Sequence, residues 1–185
     1  DGVQVGDANN IPDAINRIYI GRNVAYENLQ AGFWTKNATD VIFSENISYG
    51  HTRVTAGGPG PGLGGQYDPR YVWYINNKIY NNNVGIMMAG SSNGGGGPWY
   101  AIGNLIYSIS APASATDICN PYSWGGIAYR NSGGLTAIFN TVYDVDFFGG
   151  FAPSGGTILL QNNIFATKKS SACLPFQTLR TITHD

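Results

Sequence analysis

Asn140-Thr141-Val142-Tyr143, inside the run LTAIFNTVYDVDFFGGF (residues 135–151), is one of six copies of the frame Asn-x-x-aromatic. The others are Asn23-Val24-Ala25-Tyr26, Asn46-Ile47-Ser48-Tyr49, Asn77-Lys78-Ile79-Tyr80, Asn104-Leu105-Ile106-Tyr107 and Asn162-Asn163-Ile164-Phe165. Successive asparagines lie 23, 31, 27, 36 and 22 residues apart. A unit of 22 or 23 residues therefore recurs, lengthened by insertions. A second mark, Gly before a large apolar residue, follows at Gly32-Phe33, Gly85-Ile86, Gly126-Ile127 and Gly150-Phe151. A period of this length is the mark of a solenoid.

The residue types choose among solenoids. Eight leucines in 185 residues are too few for leucine-rich repeats, and Gly and Asn recur too often for helical ones. Runs such as DVIFSENISY, YVWYINNKIY and TILLQNNIF are β-branched and aromatic, broken by Asn or Gly. Each holds strands of four to six residues. Three such strands per unit make one coil of a β-helix. The asparagines belong at its corner, where Asn tolerates a left-handed backbone and stacked amides can bond from coil to coil.

The frame Asn-x-[Ile/Val]-Tyr with a following Gly-Ile or Gly-Phe, closing on LLQNNIFA, resembles the right-handed parallel β-helix repeats of the pectate-lyase-like superfamily, over residues 18–166. The resemblance implies one all-β domain over residues 1–185, about six coils with two long loop insertions, and is compatible with a segment of a longer solenoid. It implies little about activity, since that superfamily holds lyases, epimerases, tailspikes and non-enzymatic surface proteins.

Alternation along the frame sets which side chains face out. Lys78 and Asn163 at the first position favour an outward first position, an inward second, and an outward aromatic third. Tyr26, Tyr49, Tyr80, Tyr107, Tyr143 and Phe165 would then form an exposed strip, which calls for a partner: a polysaccharide, or another copy of the protein. The opposite parity would bury the same rings as a core stack.

Two insertions bring candidate chemistry. GHTRVTAGGPGPGLGGQYDPRYVW (50–73) carries His51, Arg53, Tyr67, Asp68 and Arg70, and the second, from Ser108, carries Asp117, Cys119, Tyr122 and Trp124. His51 as base beside Arg53 as a carboxylate clamp would suit a uronic acid polymer. The stretch from Gln66 is faintly similar to mannuronan C5-epimerases: Asp68 and Pro69 match, Tyr67 takes an aromatic position, and Arg70 stands where that family has its histidine. Asp144 and Asp146, on one face of an extended strand, could ligate Ca²⁺.

Only 11% of the residues are charged and the net charge is −1, so no broad field recruits nucleic acid or an anionic membrane. No apolar run is long enough to cross a bilayer. Low charge with abundant Asn, Gly, Ser, Thr and Tyr reads as extracellular or cell-surface, and a chain opening on Asp1 as a mature or excised piece. A disulfide between Cys119 and Cys173 is expected. Of the two sequons, Asn37-Ala38-Thr39 is the expected glycan acceptor, and Asn46-Ile47-Ser48 is expected to be buried in the ladder.

Overall fold

The computed structural model describes residues 1–6, 11, 15–52, 60–90, 96–112, 115, 125–130, 133–146, 149–151, 157–168 and 176–178. The chain runs in repeated coils of three short strands. The first holds β1 (Val3–Gly6), β2 (Ile15–Gly21) and β3 (Val24–Tyr26), and the second β4 (Phe33–Lys36), β5 (Ala38–Ser44) and β6 (Ile47–Tyr49). Then come β7 (Pro61–Gln66), β8 (Arg70–Ile75) and β9 (Lys78–Asn82), followed by β10 (Val84–Met88), β11 (Trp99–Ile102) and β12 (Leu105–Ile109). The rest are β13 (Gly125–Tyr129), β14 (Leu135–Ile138), β15 (Thr141–Val145), β16 (Gly149–Phe151), β17 (Ile158–Gln161), β18 (Ile164–Thr167) and β19 (Phe176–Thr178).

Every third strand pairs in parallel, giving sheet A of seven strands, β1-β4-β7-β10-β13-β16-β19, and two sheets of six. Sheet B is β2-β5-β8-β11-β14-β17 and sheet C is β3-β6-β9-β12-β15-β18. The result is a parallel β-solenoid of about five turns, its six three-strand coils matching the expectation. Among the described residues there is no helix.

The asparagine ladder is the B–C corner. Asn77 Oδ1 accepts the backbone N–H of Asn46 at 2.9 Å and its Nδ2 at 3.1 Å, while Asn77 Nδ2 donates to Phe43 O and to Asn104 Oδ1. The same set repeats at Asn104 and Asn140. Rungs 46, 77, 104 and 140 are fully buried, yet their amides have partners on both sides. A buried amide without them would cost a few kcal/mol.

Two expectations about this corner change. The sixth rung is Asn163, not Asn162: Asn163 Oδ1 accepts from Asn140 N at 2.9 Å, and Ile164 pairs with Thr141. The frame there is Asn-Ile-Phe-Ala, so Phe165 turns toward the core and Ala166 takes the outer place beside Tyr143. Nor do the ladder asparagines adopt the left-handed backbone. The residue before each one does: Arg22, Glu45, Asn76, Gly103, Phe139 and Asn162 all have φ between 52° and 65°. The turn is made one residue early, which frees the Asn side chain to point inward and stack.

The second mark needs the same realignment. Gly32, Gly62, Gly85 and Gly126 form one column at the start of sheet A, and at the first three a Cβ would strike the next coil's backbone and Ser48, Ile79 or Ile106 from sheet C. Gly150 is not in that column, because it pairs with Ala128. Inside, Phe43, Tyr74 and Trp99 stack with nearly parallel rings in a core that also holds Phe33, Ile79, Ile86, Ile106 and Ile127.

Candidate functional site

The tyrosines face outward. On sheet C the first position is exposed or half-buried, the second is buried at Ala25, Ser48, Ile79, Ile106 and Val142, and the third carries the ring. Tyr26, Tyr49, Tyr80, Tyr107 and Tyr143 stack in register, with centroids 5.4, 4.9, 5.0 and 5.2 Å apart and planes within 11° of parallel. Parallel strands about 4.8 Å apart impose this spacing. Lys78 Nζ lies 5.4 Å from the Tyr80 ring and 5.9 Å from that of Tyr107.

Stacking decides what the strip offers. Tyr49, Tyr80 and Tyr107 each have a ring on both sides, so their faces are largely taken by each other. Solvent meets ring edges and hydroxyls. Partial desolvation, then the neighbouring Tyr80, Tyr26 and Glu27, raises the pKa of Tyr49, so its hydroxyl stays protonated and able to donate. Tyr67 is not in this row; it lies at the A–B corner with Lys36 Nζ 5.8 Å from its ring.

The other candidates are scattered. His51 is fully buried at the C–A corner. Its Nδ1 accepts the N–H of Asn28 at 3.1 Å, so the proton resides on Nε2, which donates to Ser48 Oγ at 3.1 Å; Ser48 in turn donates to Gly62 O. Asn82 repeats the role one coil on, its Oδ1 accepting the N–H of His51. His51 is thus a ladder rung, the imidazole presenting its acceptor where Asn82 presents a carbonyl oxygen. Burial lowers its pKa to about 4. Asp68 and Arg70 sit at the A–B corner and pair with each other at 2.9 Å, with Asp68 also accepting from the backbone N–H of Gly96. Arg53, Asp117, Cys119, Tyr122, Trp124 and Cys173 lie outside the described residues.

Asp144 and Asp146 do not share the face of an extended strand. Asp144 has φ 52° and the register shifts beside it. Ser108 donates to Asp144 at 2.7 Å, while Asp146 takes Lys168 at 3.1 Å and the N–H of Ala111. A Ca²⁺ site needs six or more converging oxygens. Among the described residues no group of three or more His, Cys, Asp or Glu side chains is placed to hold a metal ion, and both carboxylates already accept from protein donors. Asn37 also departs from expectation: it is 3% exposed and its Oδ1 accepts from Asp68 N, so neither sequon is a surface site.

Sequence reasoning missed a second outward row, on sheet B. Tyr19, Ile42, Trp73, Tyr100, Thr136 and Leu159 are in register across six strands, and Trp73 and Tyr100 stack at 5.2 Å. Each stands four residues before a ladder asparagine, so aligning the coils on those asparagines would have found it. Comparison with protein-family models, curated proteins and solved structures finds no match to this chain.

Proposed function

We propose that this solenoid binds an extended polysaccharide outside the cell along sheet C, in a recognition role and not a chemical one. The observation that carries the reading is the tyrosine row. Five phenol hydroxyls and ring edges recur every coil on a stiff sheet, so little side-chain entropy is lost on contact. A chain of sugars with repeating hydroxyls is a ligand with matching periodicity, and Lys78 adds a donor in mid-row. The resemblance to the pectate-lyase-like superfamily agrees with a glycan ligand. A binding role is preferred because three residues expected to act chemically have structural work: His51 inside the wall, Asp68 and Arg70 in a corner pair.

The test is affinity electrophoresis of the folded protein against neutral and uronate polysaccharides. Tyr80→Phe with Tyr107→Phe keeps the stack and removes two hydroxyls; binding should weaken by about 1 kcal/mol per lost hydrogen bond. Wild-type protein that binds no polysaccharide, or a double variant that binds unchanged, refutes the reading. Self-association is the second reading, favoured by the exposed Val24, Tyr26 and Leu29 at one end of the row (57% each). Concentration-dependent sedimentation abolished by Tyr26→Ala would support it.

A further inference from the structure

A different surface, on sheet B, sets Tyr19 opposite Trp73, whose ring stacks with Tyr100 of the next coil and Tyr71 of its own strand. Arg17, Ile18, Tyr19, Asp40, Ile42 and Trp73 line an open cleft of about 370 Å³. Its shape follows from register. Arg17 and Tyr19, Asp40 and Ile42, and Tyr71 and Trp73 are the outward pairs of three successive strands. Arg17, Asp40 and Tyr71 have φ of 57°, 54° and 52°, a left-handed kink repeated in unbroken register coil after coil. The flanking strands supply large side chains and the middle strand short ones, so Ile42 floors a slot between Tyr19 and Trp73. The flanking strands are two separations apart, roughly 9.6 Å, which admits one ring at about the spacing of the Trp73–Tyr100 stack. Gly21 positions Tyr19, since a Cβ there would overlap its ring, and Tyr19 is 60% exposed.

We infer that this cleft binds one pyranose ring of a neutral glycan, stacked between Tyr19 and Trp73, with its hydroxyls on Asp40 and Arg17. The inference rests on the reading that the protein recognises polysaccharide, and it adds a subsite on another face. Pyranose C–H faces suit aromatic walls. A carboxylate accepts and a guanidinium donates, so together they satisfy hydroxyls, which do both. Among the described residues neither Arg17 nor Asp40 is in an ion pair, and their opposite charges select neither an anionic nor a cationic ligand. An aromatic side chain from a second copy would fill the slot and leave both charged groups unanswered.

The experiment is calorimetric titration of the full chain with neutral oligosaccharides (β-glucan, mannan, xylan and galactan series), repeated on Trp73→Ala, Tyr19→Ala, Asp40→Asn and Gly21→Ala, with circular dichroism as the check on folding. At least one series should bind wild type. Trp73→Ala and Tyr19→Ala should each weaken it tenfold or more, and Asp40→Asn and Gly21→Ala several-fold. Should Trp73→Ala unfold, Tyr19→Ala and Gly21→Ala carry the test. If wild type binds a glycan and these cleft variants bind it equally, the cleft assignment is wrong and the polysaccharide reading stands. If wild type binds no glycan, neutral or charged, both fall. Self-association in wild type that Trp73→Ala abolishes, without sugar binding, overturns the assignment in favour of a second copy.

Discussion

Asn104 shows how much one side chain carries in this wall. Its Oδ1 accepts two N–H groups from Asn77, and its Nδ2 donates to Tyr74 O and Asn140 Oδ1, all within 3.0 Å and out of contact with water. Truncation removes four buried hydrogen bonds at once. Asn104→Ala should therefore cost roughly 3–5 kcal/mol, well above a typical single substitution, read as a fall in the urea midpoint. His51 adds a pH term. Its pKa is about 4 in the fold against 6.5 ordinarily, so between those values the unfolded chain holds a proton that the folded chain refuses. This contribution is complete above pH 6.5 and is lost as pH falls toward 4, by at most about 3 kcal/mol. His51→Asn keeps an acceptor of the kind Asn82 supplies. The difference in midpoint between wild type and this variant should shrink on that acid limb.

At the scale of the element, each corner is a compromise between backbone strain and side-chain placement. The left-handed position before each ladder asparagine is cheap for Gly103, Asn76 and Asn162 and costs an ordinary residue roughly 1–2 kcal/mol. Phe139 sits there at φ 58°, with 61% of its surface exposed. Phe139→Asn should raise stability by about 0.5–1 kcal/mol, and a lower melting temperature would count against the strain argument. The glycine column has the opposite logic. Gly85 has no unusual φ, but a Cβ there would meet the Gly126 carbonyl and lie 2.7 Å from Ile106 Cγ2. Backbone cannot swing aside as a side chain can. Gly85→Ala should cost about 1–3 kcal/mol through overpacking, measured by the same denaturation.

Across the whole molecule, stability is a chain of nearest-neighbour terms, since each coil pairs with the ones on either side. A coil should therefore be removable if the cut respects the register. Deleting residues 77–103 would join Asn76 to Asn104, set Asn104 beneath Asn46 and Tyr107 beside Tyr49, and leave each sheet one strand shorter. That protein should keep a β-type circular dichroism spectrum with a lower urea midpoint, whereas deleting 77–89 should unfold it. Burial of both sequons makes a second expectation: folded protein from a eukaryotic secretory host carries no glycan at Asn37 or Asn46. Sugar on either, found by glycopeptide mapping, would contradict the placement.

The fold was legible because periodicity is a local property. A unit of 22 or 23 residues lengthened by insertions, with an aromatic three places after its Asn, is enough to set coil, corner and outward face, since alternation in a strand leaves two choices and Lys78 favours one. Where two asparagines adjoin, at Asn162 and Asn163, composition cannot say which is the rung; pairing of Ile164 with Thr141 decides. The site was less legible, because function here depends on which side chains the coils bring together. Asp144-Val145-Asp146 reads as a cation pair until a positive φ and Lys168 separate its members. His51 reads as a loop base until Asn28, Ser48 and Asn82 enclose it. The cleft joins residues from Arg17 to Trp73 that no motif links. Sequence by itself determined the repeating backbone, because hydrogen-bonded coils reuse one local rule. Tertiary structure alone decided which groups meet, because strand register across coils, not spacing along the chain, sets the distance between side chains.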